Sequence, residues 1–208
     1  MVTSRKPDVN SPQFPDLKFL SGAHRLDQLP DGEGPEVAIV GRSNAGKSSA
    51  LNRIASQKNL ARTSKTPGRT QQLNVFESPA GLRLVDLPGY GFAKVPEKLR
   101  AHFERVIADY LRTRPGLRGV LVVMDSRHPL TVLDQQLVAW CAELNLPLHV
   151  LLTKADKLAR GAQANALREV RTGLAALHPA ATVQLFSSLT PLGVEEARTV
   201  ISGWWTAA

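Results

Sequence analysis

The stretch that most restricts how this chain can fold is Gly41-Arg42-Ser43-Asn44-Ala45-Gly46-Lys47-Ser48. It follows the β-branched run Val37-Ala38-Ile39-Val40 and opens a helical pattern. Glycines let such a loop curl until successive N–H groups face one centre, beside a helix N-terminus that favours negative charge. A strand, a phosphate-cradling loop and a helix in that order demand an α/β unit. In that frame Lys47 reaches the β- and γ-phosphates of a nucleotide, and Ser48 places its hydroxyl on Mg²⁺.

The rest of the chain fits that frame. Leu82–Val85, Val120–Val123, Leu148–Leu152 and Val183–Phe186 are short apolar runs flanked by turn residues, and they read as buried strands. Apolar residues recur at helical spacing at Leu99, Phe103, Val106 and Tyr110, and at Leu133, Leu137, Trp140 and Leu144. The same spacing returns at Leu167, Val170, Leu174 and Leu177, and at Val194, Ala197, Ile201 and Trp204. The alternation predicts a mostly parallel six-stranded sheet with helices on both faces. Residues 71–77, turned back through Pro79-Ala80-Gly81, supply one antiparallel edge strand. Residues 1–35, with one apolar patch at Phe19-Leu20, read as a partly flexible arm whose later part packs on the domain edge; 36–208 form the nucleotide domain.

The net charge of +8 is unevenly placed: residues 41–118 hold 15 Lys and Arg against 5 Asp and Glu, and the remainder holds 11 against 13. Clustered positive charge is the footprint of a phosphate-rich partner such as RNA, with a solvated basic surface as the plainer reading. No apolar run approaches the ~20 residues of a membrane span, and the N-terminus lacks a secretory stretch. The single Cys141 allows no intramolecular disulfide and sits on a helical face with Leu137 and Leu144, as a buried thiol would. A cytoplasmic monomer with no membrane partner is expected.

Two further motifs select the nucleotide. Asp86-Leu87-Pro88-Gly89 ends a strand, where Asp86 can hold the metal through water and the Gly89 N–H can sense a γ-phosphate. Thr153-Lys154-Ala155-Asp156 ends another. Guanine presents two donors that one carboxylate accepts together, whereas adenine offers no matching pair and would leave Asp156 unpaired. Lys154 would lay its stem over the base, and Ser187-Ser188-Leu189 stands where a backbone N–H meets the guanine O6. Thr70 lies in a Gly- and Pro-containing stretch able to close over Mg²⁺ and the γ-phosphate, with Thr66 as its competitor.

With these residues in view, the chain resembles the EngB (YihA/YsxC) family of Era-like, translation-associated P-loop GTPases. The likeness rests on Glu36 to Ser49, on Thr66-Pro-Gly-Arg-Thr70-Gln71, on Asp86 to Gly91, and on Thr153 to Asp156 with Phe186 to Ser188. It implies a Ras-like GTPase fold and GTP hydrolysis to GDP as a conformational switch. Implied roles are large-subunit ribosome assembly on rRNA and normal division and septation. It implies GTP or GDP contacts at Gly41, Arg42, Ser43, Asn44, Ala45, Gly46, Lys47 and Ser48, and at Gly68, Arg69, Thr70, Gln71 and Gln72. Further contacts fall at Asp86, Leu87, Pro88 and Gly89, at Thr153, Lys154, Ala155 and Asp156, and at Phe186, Ser187 and Ser188. Mg²⁺ falls to Ser48 and Thr70. Catalysis falls to Lys47, Thr70, Gly89 and Asn44, the last resembling the position at which Era-like enzymes recruit K⁺. Thr153 stands where Asn is usual.

Tyr90 follows Gly89, where Ras-type enzymes carry a water-orienting Gln. Hydrolysis is therefore expected to be slow without K⁺ or an activator. A nucleotide-dependent division regulator with little hydrolysis, and a P-loop kinase or ATPase, remain as competing readings. The basic series Arg53, Lys58, Arg62, Lys65 and Arg69 is a candidate RNA contact. His24, His102, His128, His149 and His178 show no metal spacing and read as surface or packing residues.

Overall fold

The computed structural model describes residues 14–32, 34–61, 72–91 and 97–207. Strands β1 (Lys18–Ala23), β2 (Glu36–Gly41), β3 (Leu73–Glu77), β4 (Arg83–Asp86), β5 (Leu117–Asp125), β6 (Leu148–Thr153) and β7 (Thr182–Leu185) form one sheet in the order β1-β3-β4-β2-β5-β6-β7. From β4 to β7 every pairing is parallel; β3 runs antiparallel to both β4 and β1. The helices are α1 (Lys47–Ile54), α2 (Glu97–Thr113), α3 (Val132–Glu143), α4 (Arg160–Leu177) and α5 (Val194–Thr206).

Side chains alternate across each strand, so one strand feeds two cores. Ala38 and Val40 of β2 join Val120, Val122 and Met124 of β5 against α2, α3 and α4. Val37 and Ile39 join Leu121 and Val123 against α1 and α5. The second face closes with Ala197, Ile201 and Trp205, while Trp204, half-buried, lies flat on Gly119. A β-carbon at position 119 would come within 2.3 Å of that indole, so the helix docks as closely as it does because the strand has no side chain there.

Among the described residues the sheet has seven strands, where the sequence patterning predicts six. The extra one is β1, within the N-terminal arm. Its side chains are mostly exposed, so it lacks the apolar alternation that marks a strand. It exists because β3 offers an edge: Phe19 meets Phe76 edge-on at 6.0 Å, and a bulge follows Phe19. Gln57 secures its start by donating to the Asp16 side chain and the Leu17 carbonyl, both at 2.8 Å. The hairpin of β3 and β4 turns at Gly81, whose N–H donates to Ser78 at 2.9 Å.

At the amino end of the sheet, fully buried Glu36 accepts from the Tyr110 hydroxyl (2.8 Å) and from Arg114 at 2.7 and 2.6 Å. Arg114 also donates to the Pro30 carbonyl and Arg83 to that of Asp31, at 2.6 and 2.7 Å. This cluster locks the end of α2 and the arm to the sheet, far from the carboxyl edge where the motifs gather.

Candidate functional site

Gly41, Asp86, Asp125 and Thr153 are the last residues of β2, β4, β5 and β6, and Phe186 follows β7. All five therefore meet at the carboxyl edge, the place where open parallel sheets hold ligands. Gly41 must lack a side chain, since a β-carbon there would sit 2.4 Å from the Val123 carbonyl oxygen. The loop then turns through Asn44 (φ 64°) and Gly46 (φ 96°), and the Gly46 carbonyl accepts the first helical bond of α1 from Ala50 at 2.8 Å. A left-handed φ of 96° lies outside what a β-carbon tolerates, so position 46 requires glycine.

Lys47 and Ser48 open α1. The Lys47 ammonium is ion-paired with Asp86, and both side chains are nearly buried. Each neutralises a charge that would otherwise be costly at that depth. Leu87 is buried and its N–H donates to the Ile39 carbonyl at 3.0 Å, which pins Pro88 and Gly89 beside the loop.

On the other flank, the Thr153 hydroxyl bonds the Ala45 carbonyl and lies 3.0 Å from that of Met124. Lys154, held at a left-handed φ of 58°, donates to the Asn44 carbonyl (2.6 Å) and to Asp125 (2.9 Å). Its stem therefore bridges the β6 loop and the phosphate loop. Asp156 accepts from the Ser187 hydroxyl at 2.6 Å, and the same oxygen of Ser187 receives the Leu189 and Thr190 amides at 3.1 and 3.2 Å. The Ala155 amide donates to the Phe186 carbonyl at 3.2 Å, while the Phe186 ring is buried in the core. Ser188, half-exposed, lies next in this loop.

The structure thus brings together Gly41 to Ser48, Asp86 to Gly89, Thr153 to Asp156 and Phe186 to Ser188. It places Gln72 differently, with its Nε2 2.9 Å from His24 Nε2 at the β1–β3 edge. Gly68, Arg69, Thr70 and Gln71 lie outside the described residues, as do Thr66, Arg62 and Lys65. Among the described residues, no group of three or more His, Cys, Asp or Glu could hold a metal by itself. Cys141 is buried, which pushes its thiol up to about 12, and His149 is held by Thr182 and Gln184 at 2.6 and 2.8 Å.

Two acidic residues matter that the motif reading does not include. Burial alone would raise the Asp125 carboxyl, but hydrogen bonds from Arg127 and Lys154 outweigh it and hold the group well below the ordinary range. Asp134 is buried and accepts the Tyr90 hydroxyl at 2.6 Å. Asp125 is legible only as a strand-terminal acid. Asp134 carries a local signal, since Thr131-x-x-Asp134 is a capping box.

Comparison with known proteins agrees with this geometry. Residues 36–154 match the family model described as 50S ribosome-binding GTPase. A Coxiella burnetii protein (strain RSA 331 / Henzerling II) named Probable GTP-binding protein EngB is 48% identical over 196 residues, covering 94% of this chain and 96% of that protein. The chain belongs to the EngB family. A second EngB, from Pectobacterium carotovorum subsp. carotovorum (strain PC1), is 51% identical over 189 residues, covering 91% of this chain and 90% of its own length. Among solved structures, a crystal structure of a probable GTP-binding protein engB superposes with a TM-score of 0.63 at 19% identity, over 82% of this chain and 98% of that one. At that identity the match speaks to the fold, which is that of the P-loop GTPases.

Proposed function

We propose that this EngB-family chain binds GTP and GDP and hydrolyses GTP to GDP and phosphate as a conformational switch in assembly of the large ribosomal subunit. The observation that carries the reading is the Lys154 bridge, which sets Asp156 and the phosphate loop on one rigid frame. A nucleotide with its phosphates in the loop then presents guanine donors to the Asp156 carboxylate. Ser187 orients that carboxylate, and Thr153 braces the loop from below rather than touching the base.

Ser48 and Asp86 offer hydroxyl and carboxylate oxygens, the hard donors that suit Mg²⁺ beside phosphate. When bound, that ion neutralises charge developing between the β- and γ-phosphates. Lys47, now paired with Asp86, would bind phosphate oxygens, and Asp86 would help to hold the ion. Gly89 would offer its N–H to the γ-phosphate, and Thr70, which lies outside the described residues, would add a hydroxyl for the ion. Asn44, exposed in the phosphate loop, would hold K⁺, which would supply further positive charge for the phosphates. The buried Tyr90 side chain, occupied with Asp134, puts no Gln-like group at the position after Gly89, so turnover is expected to be slow without K⁺ or a partner.

The charge excess of residues 41–118 supports rRNA as that partner, and the description of the matching family model points the same way. No helix among the described residues is long and apolar enough to cross a membrane. A cytoplasmic monomer is part of the proposal. Normal division and septation would then depend on this protein through ribosome assembly. The test is co-sedimentation with large ribosomal subunits in a non-hydrolysable GTP analogue and in GDP, at two salt concentrations. Binding that needs the triphosphate and fades with salt supports the reading. Guanine-nucleotide affinity without subunit binding in either state would redirect it to a division regulator acting on protein partners.

A further inference from the structure

Tyr90 is tied down on every side. Its N–H donates to the Gly41 carbonyl at 3.4 Å and its carbonyl accepts from the Ser43 amide at 2.9 Å, in a single parallel bridge with Arg42. Its ring packs at a small cavity between α2 and α3 lined by Ile107, Leu133, Leu137 and Trp140. Its hydroxyl donates to Asp134 Oδ1 at 2.6 Å. The other Asp134 oxygen receives the Thr131 amide and hydroxyl at 2.8 and 2.7 Å, so the carboxylate is itself immobilised by the start of α3. Tyr90 is 6% exposed and Asp134 1%. Burial first, and then the Asp134 charge, raise the tyrosine hydroxyl well above its ordinary value, so it remains the donor at neutral pH.

A buried carboxylate bonded to a buried phenol is a strong local constraint, because either group left alone carries a desolvation penalty. The constraint acts on the residue after Gly89. We propose that Tyr90 and Asp134 are positioning residues for triphosphate recognition: their hydrogen bond fixes the backbone that presents the Gly89 N–H, so that a γ-phosphate meets a pre-ordered donor. The inference rests on the nucleotide reading above and adds to it. GDP has no group at that place and gains nothing from the order. A tyrosine buried for packing alone would stabilise the fold without distinguishing the two nucleotides.

The test uses the full chain, with wild type, Tyr90→Phe, Asp134→Asn and the double variant. Affinities for GDP and for a non-hydrolysable GTP analogue are measured with Mg²⁺, alongside urea midpoints. Tyr90→Phe keeps the ring and its packing, so the chain folds. Its expected effect is a loss of about five- to tenfold in affinity for the GTP analogue, with GDP affinity changed by less than about twofold. Asp134→Asn keeps an oxygen that can accept the Tyr90 hydroxyl, so its loss should be smaller than that of Tyr90→Phe, and the double variant should lose no more than roughly the Tyr90→Phe effect. An unchanged ratio of the two affinities, with or without a lower urea midpoint, overturns the inference and leaves a structural tyrosine. Failure of the wild type to bind either nucleotide would overturn the nucleotide reading itself, so the two failures are distinct.

Discussion

Replacing Asp156 with Asn should convert guanine recognition into xanthine recognition, and the magnitude follows from the bonds available. Asp156 Oδ1 is already occupied by the Ser187 hydroxyl at 2.6 Å, and Lys157 is a distant 3.7 Å from Oδ2. An Asn keeps one carbonyl oxygen for Ser187 and the N1–H of the base, but turns an NH₂ towards the guanine amine. One charge-assisted bond, worth about 1.5–3 kcal/mol, is lost, and two donors face each other at a further cost of about 1–3 kcal/mol. Together these predict roughly 10²- to 10⁴-fold weaker GDP binding. Xanthine carries a carbonyl in place of that amine, so its diphosphate should bind the variant at least about tenfold better than it binds the wild type. Displacement of a fluorescent nucleotide by GDP and by xanthosine diphosphate reads both numbers, with a melting curve to confirm that the variant is folded. Loss of GDP affinity under about fivefold, or no gain for xanthine in a folded variant, would refute the placement of Asp156 at the base.

Three other expectations concern different parts of the molecule. GTP turnover should be faster in K⁺ than in Na⁺ and the difference should vanish in Asn44→Ala; equal rates in the two salts would dismiss the cation. Glu36→Gln leaves Arg114 buried without its charge partner, and urea unfolding should show a loss of about 3–5 kcal/mol with little change in nucleotide affinity; a loss below about 1 kcal/mol would mean the cluster is not the anchor described. Burial lowers the His149 imidazole from its ordinary 6.5, against a smaller opposing effect of the Gln184 hydrogen bond. The unfolded chain therefore binds the proton more readily, so this residue should make stability fall as pH drops below about 6.5, and His149→Gln should flatten that slope in urea midpoints measured across pH.

How much of this was legible in sequence depended on whether the signal was local. The phosphate loop, Asp86-Leu-Pro-Gly89 and Thr153-Lys-Ala-Asp156 are contiguous, and each falls at a strand end that apolar runs mark clearly. The parallel sheet followed from those same runs. Strand β1 escaped the count because an exposed edge strand needs no apolar alternation, only an edge to pair with. Asp125 and Asp134 escaped because their partners, Lys154 and Tyr90, lie 29 and 44 residues away in the chain. Tyr90 was visible as a departure from Gln, but only the fold shows what holds its hydroxyl. The Glu36 cluster likewise joins residues 74 and 78 positions apart, and no spacing rule reaches so far.

Direct competition tests most closely whether this site takes guanine nucleotides. The chain would be loaded with a fluescent GDP analogue in Mg²⁺ and challenged with GTP, GDP and ATP in turn. Displacement by GTP and GDP is expected, with ATP weaker by at least about 10³-fold because adenine leaves the Asp156 carboxylate unpaired. Displacement by ATP at concentrations similar to GTP would contradict it and return the chain to the P-loop kinases and ATPases.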